Sequence, residues 1–384
     1  MNIKANVLVV GNSGVGKSTL INTVFDFERA AVGEGSTITR KMAIYETGKT
    51  NFRLIDTRGL EYGWRAQIQT KNALSKWSKD SVKKNEEEKY IHIIWYCIDA
   101  TSKRVFSKNL DLLKNVARLW KNIPIIIVLT KSYSEKELEE NFRMVKISLE
   151  KYKTQHLHIV GIIPVVAKPF AVNEEIIIPP VGVDHLIERT NEIIPEAFRI
   201  NEKSVRELSL RIKRTNANSL TIAATSGAAV IGAVPIPVAD SLILMPLQSG
   251  LVIGISKIYG LNKKDRNSNN ITNAIISSGA VTLGARTVIS GLKAIPGLNI
   301  AAALINSVVA AVITAVIGEI TIKIMEKMQK GEVQPENLEW IRKFAESEFL
   351  SRTGKYVGKL GKSLEGKDPK HVGKVISEIF KKGV

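Results

Sequence analysis

The 384-residue chain predicts an α/β domain with a mainly parallel sheet and helices on both faces, then an all-α, Ala/Gly-rich helical-hairpin domain and a helical tail. Three observations carry this. Short Val/Ile-rich runs alternate with longer charged segments of helical spacing through the first half of the chain. Charge then nearly vanishes: residues 216–324 hold only ten charged side chains, against 24% for the whole chain. It returns in residues 325–384, with 13 basic and nine acidic side chains. These shifts place the α/β domain at 1–200, a basic connector at 201–216, an apolar helical domain at 217–330 and a basic helical tail at 331–384.

The strand-like runs come first. They are Val7–Val10, Met42–Tyr45, Phe52–Ile55, Ile91–Ile98, Ile123–Leu129 and His158–Val166. Between most of them lie helical segments, Arg65–Lys89, Lys103–Lys121 and Ser134–Lys153, with apolar positions such as Leu112, Val116 and Leu119 recurring at helical spacing. Strand, helix, strand in repetition is the pattern of a parallel sheet covered on both faces. The pair Met42–Ile55, joined through Thr47-Gly48-Lys49, reads as a hairpin with one antiparallel strand.

The whole-chain composition bounds the function. Ordinary apolar and charged content excludes a disordered, collagen-like or disulfide-scaffold protein. A single cysteine, Cys97, excludes an intrachain disulfide and a thiol-based zinc site, and fits a reducing compartment. The net charge of +18 favours anionic partners: nucleic acid, phosphate ligands or an anionic membrane face. The start MNIKANVLVVG offers no secretory apolar region, Asn2 no myristoylation site, and the end FKKGV no prenylation box.

Directly after the first strand stands Gly11-Asn12-Ser13-Gly14-Val15-Gly16-Lys17-Ser18-Thr19, a G-x-x-x-x-G-K-S loop opening a helix. Glycines let such a loop turn its N–H groups inward onto phosphate oxygens, and the helix start adds its dipole. Residues Asn12 to Thr19 are the phosphate-binding set. Lys17 supplies charge between the β- and γ-phosphates, and Ser18 a hydroxyl ligand for Mg²⁺. Asp56-Thr57-Arg58-Gly59-Leu60 follows the third strand. A carboxylate at that end of a parallel strand lies on the ligand side of the sheet, so Asp56 is the second metal candidate. Gly59 offers its N–H to a γ-phosphate. Between them runs the Gly/Ser/Thr-rich loop Gly33–Arg40.

This order of phosphate loop, Thr-containing loop and D-T-x-G resembles the translation-factor-related GTPases of the Era/TrmE-like branch. The resemblance implies GTP and GDP as ligands, Mg²⁺ as cofactor and GTP hydrolysis. It makes Thr39, with Thr37 as the alternative, the sensor of γ-phosphate and metal, so Lys17, Thr39 and Gly59 are the catalytic candidates. In that family N/T-K-x-D reads guanine after the fifth strand, and S-A-K after the sixth. Here the stretches are Thr130-Lys131-Ser132-Tyr133 and Val166-Ala167-Lys168. Thr130, Lys131, Ala167 and Lys168 keep the base-binding role, while Tyr133 replaces the guanine-reading Asp. Leu60 stands where some regulatory GTPases carry a water-orienting Gln. The attacking water then needs another residue (Arg58, Gln67 and Gln69 are near in sequence), a partner, or a second protomer in a homodimer through this domain. Slow intrinsic turnover follows.

The remaining chemistry is thin. Five histidines, His92, His156, His158, His185 and His371, show no zinc spacing, and Cys97 lies inside the apolar run IHIIWYCID. The apolar region holds uncharged runs at Thr215–Ala239, Ser241–Ser256, Asn267–Ala285 and Ala294–Gly318. Length alone would permit bilayer-spanning helices, yet the runs are rich in small residues that also suit a tight soluble bundle. Asp240 and Arg286 lie in apolar stretches, as an ion pair, hairpin-end residues or a buried switch. The segment Val234–Ser241, followed by a Leu-rich helix and Ile258-Tyr259-Gly260, resembles the uncharacterised helical domain that follows some bacterial GTPases and is also seen in YcjF-like membrane proteins. In the tail, Val372, Val375, Ile376, Ile379 and Phe380 share one helical face with lysines outside it. That helix either docks on the protein's own core or lies on a membrane. The expected function is a nucleotide-controlled switch or remodelling factor at the cytoplasmic face of an anionic membrane, with no sequence-specific nucleic acid. The rivals are a soluble assembly or RNA-associated GTPase with a closed bundle, and a nucleotide-gated pore.

Overall fold

The computed structural model describes residues 4–25, 42–46, 50–57, 91–102, 110, 113–114, 123–151, 157–195, 202–234, 244–261, 266–276, 280–294, 302–360 and 369–381. The chain divides into two compact units, Met1–Ala167 with Val181–Ile212, and Lys168–Pro180 with Lys213–Val384.

In the first unit β1 (Ala5–Val10), β2 (Met42–Tyr45), β3 (Phe52–Thr57), β4 (Ile91–Asp99), β5 (Ile125–Thr130) and β6 (Ile159–Val165) form one sheet in the order β2-β3-β1-β4-β5-β6. Only β2 runs antiparallel, against β3, among the described pairings. The hairpin expected over Met42–Ile55 is therefore present at the sheet edge. The central strands β1, β4 and β5 are near-continuous apolar runs because both their faces are covered. Alternation sends Val7, Val9, Trp95, Cys97 and Val128 to one face, against Leu20 and Val24 of α1 (Lys17–Phe25). Leu8, Val10, Tyr96, Ile98 and Leu129 go to the other, with Leu113 and with Val145 of α2 (Glu135–Lys151). Helix α3 (Val183–Ile193) returns to the first face, where its Thr190 Oγ1 accepts from Trp95 Nε1 at 3.0 Å. Near the N-terminal end of the sheet, Asn6 N donates to His92 Nδ1 at 3.0 Å, and Arg53 Nε donates to Asn6 Oδ1. Burial, reinforced by the Arg53 charge, pushes the His92 imidazole down to about 4. The expected segment Arg65–Lys89, and most of Lys103–Lys121, lie outside the described residues.

The second unit is helical apart from a small hairpin, β7 (Phe170–Ala171) with β8 (Ile177–Ile178). Its helices are α4 (Glu202–Gly232, whose residues from Lys213 onward belong to this unit), α5 (Met245–Ile258), α6 (Arg266–Ile276), α7 (Ala280–Lys293), α8 (Ala302–Gln329), α9 (Leu338–Leu360) and α10 (Pro369–Lys381). Helix α8 is the core. It is long and apolar enough to cross a membrane, yet 89% of its apolar stretch is buried by the rest of the protein. Buried hydroxyls survive there by bonding back into their own helices: Thr221 to Ala217 O, Thr314 to Ala310 O and Thr321 to Ile317 O. Ser307 Oγ instead crosses to Ala229 O of α4 at 2.7 Å.

Glu319 is an acid in the middle of the apolar run of this helix. Tyr356 donates to it at 2.6 Å and Arg352 pairs with it, while Arg352 and Lys323 both reach Glu348. Arg286, by contrast, is exposed on α7, and Asp240 lies outside the described residues. The tail helix α10 buries Val372, Ile376, Ile379 and Phe380 and packs on α8, so it docks on the protein's own core.

Candidate functional site

The first unit presents a loop where β1 gives way to α1. Gly14 and Gly16 have φ of +74° and +99°, in the left-handed region where a side chain is strained. Crowding is not the reason for glycine: a Cβ on Gly14 would meet nothing within 4 Å, and one on Gly16 only Thr130, at 3.7 Å. Both glycines are therefore required by backbone conformation. Lys17 begins α1 and is 5% exposed. Its Nζ donates to Gly11 O at 2.9 Å and Asn12 O at 2.8 Å, which holds the ammonium across the loop. Ser13 and Ser18 are exposed, Asn12 and Thr19 half-buried, and Val15 is buried. A cation, a helix start and inward-curving backbone together make an anion site.

Asp56 is the next-to-last residue of β3, beside this loop. It stands opposite Val9 of β1, two residues before Gly11, and is only 3% exposed. Cys97 reports the arrangement: burial raises its thiol to about 12, the Lys17 charge opposes that rise and the Asp56 charge adds to it. A buried carboxylate and an exposed hydroxyl at one strand-to-helix corner are hard oxygen donors of the kind Mg²⁺ takes. The donor set fits that ion.

A second loop leaves β5. Thr130 Oγ1 lies within hydrogen-bond reach of Val15 O in the first loop and of Ile98 O at 3.0 Å. Lys131 follows with φ +55°, the one positive φ outside glycine among the described residues. Its Nζ donates to Asp99 Oδ2 at 2.6 Å. Thr101 donates to Asp99 Oδ1 twice, from its N–H at 2.9 Å and its hydroxyl at 2.7 Å. Burial alone would raise the Asp99 carboxyl, but hydrogen bonds from Lys131 and Thr101 and the Lys131 charge bring it below its ordinary value. Burial pushes the Tyr133 phenol above its ordinary value, against the opposing Lys131 charge. A third segment comes from β6, where Ala167 O accepts from Thr23 of α1 at 2.8 Å and the Val166–Val181 bridge closes the loop's neck.

Residues 6–131 match the family model described as "50S ribosome-binding GTPase", and residues 196–348 match "Domain of unknown function (DUF697)". The chain joins a P-loop GTPase domain to a DUF697 domain. Similar solved structures include a probable GTP-binding protein engB, 21% identical over 49% of this chain and 98% of that one, with TM-score 0.33. They also include the GTPase SAR1 from Encephalitozoon cuniculi in complex with GDP, 14% identical over 44% of this chain and 71% of that one, TM-score 0.31. The cytosolic domain of the T. maritima FeoB iron transporter is 13% identical over 71% of this chain and 93% of that one, TM-score 0.29. No curated protein matches the chain.

The GTPase domain brings together Asn12 to Thr19, Asp56, Thr130, Lys131 and Ala167 at the C-terminal side of its sheet. Lys168, next in the chain after Ala167, is exposed and counts with the DUF697-side unit. Thr39, Thr37, Gly59, Leu60, Arg58, Gln67 and Gln69 lie outside the described residues. Three residues of the arrangement were not singled out by motif: Thr23, Asp99 and Thr101. The signal for Asp99 was available, since it stands at the end of a parallel strand just as Asp56 does. Thr23 and Thr101 carry no pattern of their own.

Proposed function

We propose that the GTPase domain binds GTP and GDP with Mg²⁺ and hydrolyses GTP slowly, in the manner of the Era/TrmE-like branch. The observation that carries this reading is the loop of left-handed Gly14 and Gly16, spanned by Lys17 and tied through Thr130 to the base-side loop. Lys17 neutralises the β/γ charge. Ser18 and Asp56 would hold the Mg²⁺, which would supply further charge neutralisation on the phosphates, and Thr39 would sense γ-phosphate and metal, as the resemblance implies. Gly59 donates its N–H to the γ-phosphate. Leu60 beside it cannot orient water, which makes the intrinsic rate slow. The base rests against Lys131 with the Ala167 N–H as donor. Since Tyr133 replaces a carboxylate, the preference for GTP over ATP is modest. Lys17→Ala tests the reading: calorimetry should find GTP binding abolished, and an unchanged affinity would reject the site.

The nucleotide state, in this reading, controls a switch or remodelling factor at the anionic cytoplasmic face of a membrane. The +18 charge and the apolar stretches Asn267–Lys293 and Ala302–Gln329 support it. A second reading, a soluble assembly factor with a closed bundle, is favoured by the burial of Ala302–Gln329. Flotation on vesicles containing anionic lipid separates them. Protein that stays at the bottom of the gradient in every nucleotide state would reject the membrane role.

A further inference from the structure

Two carboxylates stand at strand ends on the ligand side of the sheet, Asp56 next to last in β3 and Asp99 last in β4. Asp99 stands opposite Thr130 in the β4–β5 register. Its two oxygens are both engaged, Oδ2 by the Lys131 ammonium and Oδ1 by two donors of Thr101. The Lys131 stem must therefore run from the end of β5 back over the end of β4. Side-chain exposure is 18% for Asp99 and 34% for Lys131, so the carboxylate is sheltered while part of the stem faces outward. Lys131 is also left-handed, a strained state for a side-chain-bearing residue that persists only where neighbours hold it. Around it Ser132 N donates to Val165 O at 3.3 Å, Ser132 Oγ to Leu129 O at 2.8 Å and Tyr133 N to Lys131 O at 2.8 Å.

We propose that Asp99 is a positioning residue for the nucleotide base: braced by Thr101, it holds the Lys131 stem as the fixed platform against which a guanine stacks. This rests on the guanine-nucleotide reading of the site. A lysine without such a partner spreads over many rotamers, and binding must then pay to order it. The pair supplies by preorganisation part of the base affinity that Tyr133 cannot supply as an edge contact. Asp99 acts through Lys131 and has no part in holding phosphate.

The test uses the full chain with Mg²⁺, GTP as one probe and inorganic tripolyphosphate as the probe of the phosphate loop alone. Wild type should bind GTP more tightly than tripolyphosphate. Asp99→Asn should lose about tenfold in GTP affinity, the scale of one charge-assisted hydrogen bond, with tripolyphosphate unchanged. Lys131→Ala combined with Asp99→Asn should lose no more than Lys131→Ala alone, because the two residues act as one unit. Asp99→Glu should restore part of the loss. If Asp99→Asn does not fold, Thr101→Ala, which removes one brace, should give a smaller loss confined to GTP. Wild-type GTP affinity in Asp99→Asn, equal losses for GTP and tripolyphosphate, or additive losses in the double variant would each overturn the proposal. A wild type that binds GTP no better than tripolyphosphate would instead reject the guanine reading, and this proposal with it.

Discussion

Gly318→Ala probes whether α8 is the core of a closed bundle in water. A Cβ at Gly318 would lie 2.3 Å from Thr221 Cγ2, 2.4 Å from its Oγ1 and 2.9 Å from its Cβ. Favourable contacts between carbon atoms sit at about 3.5–4.0 Å, so α4 or α8 must yield by more than an ångström. Thr221 cannot simply turn away, because it is fully buried and its hydroxyl is committed to Ala217 O at 2.9 Å. Overpacking of this kind costs about 1–3 kcal/mol. The better helix propensity of alanine offsets about 1 kcal/mol of that. A net loss of up to about 2 kcal/mol lowers the melting temperature of a unit this size by up to about 8 °C. Thermal melts of the helical circular-dichroism signal, in buffer without detergent, read it. Thr221→Ala added to Gly318→Ala removes two of the three close atoms and should recover most of the loss. Gly354→Ala is the control: that glycine is exposed, a Cβ there meets nothing within 4 Å, and the melt should rise. A Gly318→Ala variant that melts as high as Gly354→Ala, or a double variant that recovers nothing, would refute the α4–α8 packing and with it the closed bundle.

The other expectations concern the GTPase domain. Burial raises the Cys97 thiol to about 12, so iodoacetamide at pH 8 should leave it unmodified in native protein and alkylate it in denaturant. His92 is held at about 4, below its ordinary 6.5, so the unfolded chain takes up a proton there first as pH falls. Its contribution to stability should be complete above about pH 6.5 and drain away towards pH 4, and His92→Gln, which keeps an acceptor for Asn6 N, should flatten that part of a denaturation-versus-pH profile. Tyr133→Asp should widen the GTP-over-ATP ratio measured by competition, by about tenfold for one charged contact; an unchanged ratio would mean that position 133 does not face the base.

Much of the GTPase domain was legible because its signals are local. Each central strand is a near-continuous apolar run, the mark of a doubly covered strand, and the glycine spacing of Gly11–Ser18 serves one backbone path. Asp56 could be placed because a strand end has a known side. Asp99 follows the same rule, yet its meaning depends on Lys131 bending back across 32 residues of sequence, and no local pattern encodes that. The apolar region was ambiguous for a physical reason. Small residues and self-bonded threonines serve helix contact equally well in lipid and in a dry protein core. What separates the two is burial by neighbours: α8 is shielded by the rest of the protein, and its Glu319 is met by Arg352 and Tyr356 from α9, more than 30 residues on. Sequence inspection had singled out Asp240 and Arg286 instead, because a charge within an uncharged run is visible, whereas its partner on another helix is not.

The most direct test of the account is displacement of a fluorescent GTP analogue from wild-type protein by GTP, GDP and ATP in the presence of Mg²⁺. The account predicts saturable binding to one site, displacement by GTP and by GDP, and displacement by ATP only at concentrations about tenfold higher, the scale of one polar base contact. No saturable binding, or ATP displacing as well as GTP, would contradict it.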